Sequence, residues 1–218
     1  MNMNSKKRRK PRGRSGQIAV GTEGVIYQPT ELPETKDEIE KYVADAFCAG
    51  KVARNPQIER YGCFKNLEQG PENGLDFKVE TEMGGRWLEL AELAPLSQFG
   101  GSYENVPATW SVNDLAEHLR NLIQKKNEKK YGAGVILVIY KTHDTLFVPP
   151  PIIRSIREEL AVTPPIFDSI YFVSPYEAGA AGVWQIWPAD PKDQGPVVKS
   201  GSVRILTHVD LVPGSEHN

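Results

Sequence analysis

Cysteine and long apolar runs are both scarce in this sequence. Its 218 residues include two cysteines, Cys48 and Cys63, without the spacing of a metal-binding motif, so we expect free thiols and a cytoplasmic location. No apolar run approaches the roughly 20 residues that span a bilayer, and we therefore expect no membrane partner. The basic N-terminus is not followed by the apolar segment of a secretory signal. The four histidines lack ligand spacing, which argues against a histidine metal site.

Positive charge is concentrated near the N-terminus, although the chain has a formal net charge of −2. Apart from seven basic residues there, 19 basic residues are set against 28 acidic ones, so the body has a net charge near −9. We predict that residues 1–16 form a disordered basic arm that binds DNA or RNA. A solubilising tail is the alternative interpretation. The basic residues of the arm are Lys6, Lys7, Arg8, Arg9, Lys10, Arg12 and Arg14.

Length and composition favour one α/β (α+β) domain after the arm. With 39% hydrophobic residues, the chain can bury one sizeable core. We place the domain at residues 17–212, with a core at about 35–140, C-terminal additions at 141–212 and a tail at 213–218. The predicted architecture is a mixed central sheet flanked by helices.

Three segments of the core have strong local signals. Thr35 and Glu38 fit a capping box that opens a helix ending near Ala49. Ser111 caps a longer helix whose C-terminal lysines are best explained as a solvated helix end. The apolar run from Gly134 to Tyr140 is typical of a central strand buried on both faces. We also predict a first strand between residues 58 and 67, where the alternation of apolar and polar residues is less regular.

Residues 75–81 and 87–92 are predicted to form a β-hairpin, because apolar and charged residues alternate along both segments. If Gly84 and Gly85 form its two-residue loop, Glu80 faces Glu89 and Lys78 faces Ala91. One face then carries four charged residues: Asp76, Lys78, Glu80 and Glu89. Acids clustered in this way need a cation or a basic side chain among them. An exposed set of cross-strand ion pairs, which contributes little, is the alternative.

The order helix, strand, strand, strand, helix, strand between Thr35 and Tyr140 resembles the core of the PD-(D/E)XK nuclease superfamily, a restriction-endonuclease-like fold. In that family one motif acid begins the second strand, and an acid-x-Lys motif lies on the third. Asp76 stands at the first position and Glu89 at the second. The sequence departs from the family at Ala91, which stands where the motif lysine would be.

The resemblance implies Asp76 and Glu89 as ligands of Mg²⁺ or Mn²⁺, with Glu40 on the first helix as a helper. The catalytic set would be Asp76, Glu89 and Lys78, if Lys78 supplies the missing amine from across the hairpin. Otherwise the site is degenerate and no longer cleaves phosphodiesters. Two functions stay open: a metal-dependent nuclease or nuclease-derived nucleic-acid-binding protein, and a non-catalytic adaptor that binds a protein partner.

Overall fold

The computed structural model describes residues 14–22, 24–51, 54–72, 74–129 and 131–205. Within these residues the helices are α1 (Lys36–Ala49), α2 (Pro56–Tyr61), α3 (Val112–Asn127) and α4 (Pro150–Val162). The strands are β1 (Gly16–Gly21), β2 (Gly24–Pro29), β3 (Lys65–Gln69), β4 (Phe77–Thr81), β5 (Gly84–Glu92), β6 (Thr109–Ser111), β7 (Val135–Tyr140), β8 (Ser169–Glu177), β9 (Ala180–Trp187) and β10 (Ser202–Arg204).

A six-stranded mixed sheet forms the centre of the structure, in the order β3-β4-β5-β7-β8-β9. The pairs β5–β7 and β7–β8 are parallel. The pairs β3–β4, β4–β5 and β8–β9 are antiparallel. The predicted α/β class is therefore confirmed, and so is the central position of β7 beside the hairpin. The predicted additions extend this sheet, because β8 and β9 pair in succession beyond β7.

Strand β7 separates two apolar cores, because alternate side chains of a strand point to opposite faces. Leu137 and Ile139 belong to the core that includes the buried residues of α3 and α4. Ile136, Val138 and Tyr140 belong to the core that includes the buried residues of α1. All six residues of β7 are buried, as a continuous apolar β-branched run predicts for a strand covered on both faces.

The predicted helix caps are present. Thr35 and Glu38 form the capping box of α1, and Gly50 ends the helix with a positive φ of 62°. The side chain of Ser111 accepts a hydrogen bond from the backbone N–H of Asp114 at the start of α3. These local bonds satisfy backbone N–H groups that have no partner within the helix.

The predicted hairpin loop and register are wrong. Strands β4 and β5 are joined by a two-residue turn at Glu82 and Met83, not at Gly84 and Gly85. The Thr81 hydroxyl donates to the carbonyl of Gly84 and accepts from the N–H of Met83. In the observed register Glu80 lies opposite Gly85, and Lys78 lies opposite Trp87. The shift preserves which residues share a face, but it separates Lys78 from Ala91.

The strand predicted at residues 58–67 is partly wrong, since α2 takes up its first residues. Pro56 stands in the first turn of α2, where its missing N–H and fixed φ are tolerated. The chain then enters β3 at Lys65. The helix is therefore inserted between the first helix and the first strand of the predicted core.

Among the described residues, Ser15 is already part of the packed body, although it lies within residues 1–16 that we predicted as a disordered arm. Ser15 is buried, and its hydroxyl accepts a hydrogen bond of 2.8 Å from the ammonium of Lys141. Lys141 is also buried and lies 3.0 Å from Oδ1 of Asp144. Tyr27 on β2 donates to the other oxygen of Asp144 at 2.7 Å. These bonds fasten the β1–β2 hairpin beside the C-terminal end of β7.

Candidate functional site

The two motif acids, Asp76 and Glu89, come from neighbouring strands. Asp76 immediately precedes β4, and Glu89 lies within β5. The last residue pair at this end of the hairpin is Phe77 with Leu88, so the register carries Asp76 opposite Glu89. Side chains in such directly opposed positions lie on one face, with Cβ atoms about 5 Å apart. The structure thus brings these two predicted site residues together.

The carboxylate of Asp76 is partly buried and is held by the backbone. Its Oδ2 accepts a hydrogen bond of 2.6 Å from the N–H of Leu90. Burial raises the pKa of Asp76, and the charge of Glu89 adds to that increase. The Leu90 bond and the positive charges of Lys126 and Lys36 act in the opposite direction without cancelling it. A carboxyl with a raised pKa beside a second acid is a frequent feature of functional sites.

Glu89 is 4% exposed and is neutralised from α3 rather than from the hairpin. Its Oε1 lies 2.5 Å from the ammonium of Lys126 and accepts a 2.6 Å hydrogen bond from Tyr131. Lys129 lies further away, at 3.7 Å, and is more exposed. Lys126 also donates to the carbonyl of Leu90. A lysine thus lies among the motif acids, although it is not the predicted one.

Sequence reasoning missed Lys126 because it treated the C-terminal lysines of α3 as a solvated group. The spacing contains a signal that would have distinguished this lysine from the others. Lys126 follows Ile123 by three residues and Leu119 by seven, which places it on the buried side of α3. Its side chain is 17% exposed, whereas that of Lys129 is 58% exposed. Its position on the apolar side of α3 therefore indicated that Lys126 would pair with an acidic residue inside the fold.

The other charged residues of the predicted face lie at the exposed end of the hairpin. Lys78 is exposed on β4. Glu80 is also exposed and accepts a 2.7 Å hydrogen bond from the side-chain amide of Asn66. The single cluster expected from the sequence is therefore divided. The inner part holds Asp76 and Glu89, and the outer part holds Lys78 and Glu80.

Glu40 lies on α1 and is 7% exposed. Its carboxylate forms an ion pair of 3.1 Å with Lys36 one turn earlier. Glu40, Lys36 and Asp76 line the same cavity, which has a volume of about 440 Å³ and whose wall also includes the acidic residues Asp37 and Glu72. The structure therefore brings Glu40 to the cleft beside Asp76, as the family resemblance implies.

The donor set is composed of carboxylate oxygens, which suits Mg²⁺ or Mn²⁺ better than Zn²⁺. Oδ1 of Asp76 and Oε2 of Glu89 make no hydrogen bond within the described part of the chain. Across the same residues, no three His, Cys, Asp or Glu side chains are already grouped as a metal centre. A divalent ion would therefore need Glu89 to share its charge between Lys126 and the ion.

Of the seven basic residues predicted to bind nucleic acid, Arg14 alone belongs to the described part of the chain, where its guanidinium lies 5.8 Å from the ring centroid of Tyr27. The other six lie outside the described residues. None of the helices described is long and apolar enough to cross a membrane.

The comparisons with known proteins supply no relative for this chain. It matches no protein-family model, no curated protein and no solved structure.

Proposed function

We propose that this chain is a divergent PD-(D/E)XK-like protein, either a metal-dependent nuclease or a nucleic-acid-binding protein derived from one. The observation that carries the proposal is the position of Lys126. Its ammonium contacts Glu89, which stands opposite Asp76. The two acids at the motif positions and one lysine from α3 therefore lie together, although Ala91 leaves the usual lysine position without an amine.

The order of elements supports the same interpretation. Helix α1 is followed by β3, β4 and β5, then by α3 and β7. Asp76 opens the second of these strands and Glu89 lies on the third, as the family pattern requires. The intervening α2 and β6 are short and leave that order unchanged.

The chemistry requires a cation in the cleft. A bound Mg²⁺ or Mn²⁺ would neutralise a phosphate and lower the pKa of a bound water. Asp76 and Glu89 would hold the ion, and Glu40 would help from α1. The chain itself orients the two carboxylates. The backbone N–H of Leu90 donates a hydrogen bond to Asp76, and the hydroxyl of Tyr131 donates one to Glu89. Lys126 would donate to a phosphate oxygen or to the attacking water.

Binding of DNA or RNA is assigned to the basic arm. The body has a net charge near −9 apart from the seven arm residues, so its surface repels polyanions. We infer a cytoplasmic location from the two free cysteines. Burial raises the pKa of the Cys48 thiol to about 12, which keeps it protonated and unreactive.

The test is isothermal calorimetry with Mn²⁺, combined with a plasmid-cleavage assay. We expect wild type to bind Mn²⁺, and Asp76→Ala and Glu89→Ala to abolish both binding and any cleavage. Glu80→Ala is the matched control, since this acid lies on the same face but outside the inner pair. A wild type that binds no metal and cleaves nothing would contradict the nuclease interpretation.

A non-catalytic adaptor is the second candidate, and one observation favours it. Oε1 of Glu89 already has partners in Lys126 and Tyr131, so the charge of this carboxylate is compensated without a metal ion. Such an adaptor would bind a protein partner, and Asp76→Ala would leave that binding unchanged. A pull-down with wild type and Asp76→Ala separates the two candidates.

A further inference from the structure

Three aromatic rings meet at the start of α3, on a different part of the surface from Asp76 and Glu89. They belong to Phe99, Trp110 and His118. The Phe99 and Trp110 rings are 5.7 Å apart at 88°, and the Trp110 and His118 rings are 5.2 Å apart at 84°. Phe99 and His118 complete the set at 6.4 Å and 74°. Each pair of rings therefore packs edge to face, and the three rings together form an aromatic corner.

This corner opens into a cavity of about 310 Å³ that all three aromatic residues line. The acidic side chains of Asp114 and Glu117, both exposed on α3, lie at the same cavity. No lysine or arginine is among the described residues of its wall. Aromatic faces and carboxylates both attract cations, and the cavity is too small for a large ligand.

The rings are held in place by bonds outside the cavity. The indole N–H of Trp110 donates a 2.7 Å hydrogen bond to the carbonyl of Thr145, and Trp110 is 4% exposed. Ser111 caps α3 at the next residue, which fixes the helix that carries His118. Burial lowers the pKa of His118, so at neutral pH this ring is uncharged and does not repel a cation.

We propose that the Phe99–Trp110–His118 corner binds a methylated ammonium group. A trimethylammonium ion is apolar on its surface yet carries a full positive charge, so it gains from the aromatic lining of the cavity and from nearby carboxylates. This attraction acts when the cation lies within about 6 Å of a ring centroid. Choline and a trimethyllysine side chain share the required chemistry. This site does not depend on the proposed nuclease function.

The experiment titrates full-length protein with choline and follows the indole N–H signal of Trp110 by NMR. The uncharged isostere 3,3-dimethyl-1-butanol has the same shape without the charge. We expect choline to bind with a millimolar Kd and the isostere to bind at least about tenfold more weakly. Equal binding of both compounds, or no shift with choline, would overturn the proposal.

Variants then connect the binding to the rings and acids. Phe99→Leu keeps apolar volume and removes one ring face, so we expect about a tenfold loss of affinity. Asp114→Asn combined with Glu117→Gln should produce a similar loss, while Glu128→Gln near the other end of α3 should produce none. Unchanged affinity in the first two variants would contradict the assignment.

A short peptide containing trimethyllysine distinguishes the two sources of the group. Binding that is tighter than that of choline and is weakened by Phe99→Leu identifies a peptide ligand. Binding no tighter than that of choline identifies the small molecule. Either result supports the ammonium site, whereas failure of both compounds excludes it.

Discussion

Lys126 places its ammonium nitrogen 2.5 Å from Oε1 of Glu89, across 37 positions of sequence. The lysine comes from α3, whereas the family motif would provide one from β5, at Ala91. In the site that we propose, the amine beside the two acids therefore comes from a different element of the fold than in that family. Lys78, the residue that the sequence favoured for this role, is exposed and lies opposite Trp87.

We predict that Lys126→Gln separates metal binding from cleavage. Glutamine keeps a hydrogen-bond donor for Glu89 but removes the positive charge that competes with a metal ion. We expect the affinity for Mn²⁺ to rise by about tenfold and any plasmid cleavage to fall by about a hundredfold. Calorimetry and the cleavage assay measure the two effects.

Lys78→Gln is the matched control for this prediction, because it removes the same charge from an exposed position on the same hairpin. It should leave both metal affinity and cleavage unchanged. If Lys78→Gln reduces cleavage and Lys126→Gln does not, the amine acts from β4 and our assignment of Lys126 is wrong.

Asp76→Asn should raise the free energy of unfolding at pH 7. The pKa of Asp76 is raised in the folded protein by burial and by Glu89, so ionisation stabilises the unfolded state more than the folded one. This penalty is present above the folded pKa and disappears as the pH falls below the unfolded value of 3.8. Asparagine avoids the penalty and can still accept the Leu90 hydrogen bond.

Urea unfolding at pH 7 and at low pH measures this effect, with Glu80→Gln as an exposed control. The gain should be largest at neutral pH and should shrink with acidification. A less stable Asp76→Asn protein at pH 7 would mean that the ionised carboxylate is needed for folding through Lys36 and Lys126.

Deletion of residues 1–13 should remove most of any affinity for nucleic acid. Six of the seven arm charges lie in this segment. Because each phosphate contact releases counterions, the slope of log K against log salt should become shallower by about five. A fluorescence-anisotropy titration at several salt concentrations tests this, and an unchanged slope would assign binding to the body.

Asp193→Asn should destabilise the fold at neutral pH. Asp193 forms ion pairs of 2.7 Å with both Arg154 and Arg157. Burial alone would raise its pKa, but hydrogen bonds and charges from the two arginines outweigh burial and lower it. We expect a loss of about 2 kcal/mol, typical of hydrogen bonds to charged groups.

The pH dependence of this loss identifies its origin. A lowered carboxyl pKa gives stability that is present above the unfolded value of 3.8 and is lost as the pH falls through the folded pKa. Thermal melts of wild type and Asp193→Asn should therefore converge at low pH. A constant difference at all pH values would indicate a packing defect instead.

Local signals in the sequence predicted the elements that depend on nearby residues. Thr35 and Glu38 are three positions apart, so their mutual capping bonds can be inferred without a fold. The apolar run of β7 predicts burial on both faces for the same reason. Asp76 and Glu89 were correctly predicted to lie on one face, although the turn was predicted at the wrong residues. The observed register keeps the same alternate side chains of the two strands on that face.

The turn itself was missed because Gly84 was interpreted as a turn residue. Gly84 directly follows the Glu82–Met83 turn and has a φ of 92°, which glycine adopts without strain. The Lys126 contact was missed for another reason. It joins a helix end to a strand across a long loop, and no local pattern fixes where those two elements meet.

The hydrogen bond from Lys141 to Ser15 anchors the chain beside residues 1–13 and sets a limit on how far that segment can reach. Thirteen residues precede Arg14, and an extended chain of that length spans at most about 45 Å. The anchor lies at the end of β7, one strand spacing of about 4.8 Å from β5, so a segment of this length is long enough to reach Asp76 and Glu89. Phosphates repeat about every 3.4 Å along one strand of a duplex. A nucleic acid held by both arm and cleft would therefore be protected from digestion over roughly a dozen nucleotides, and each residue removed from the arm would shorten that footprint by about one.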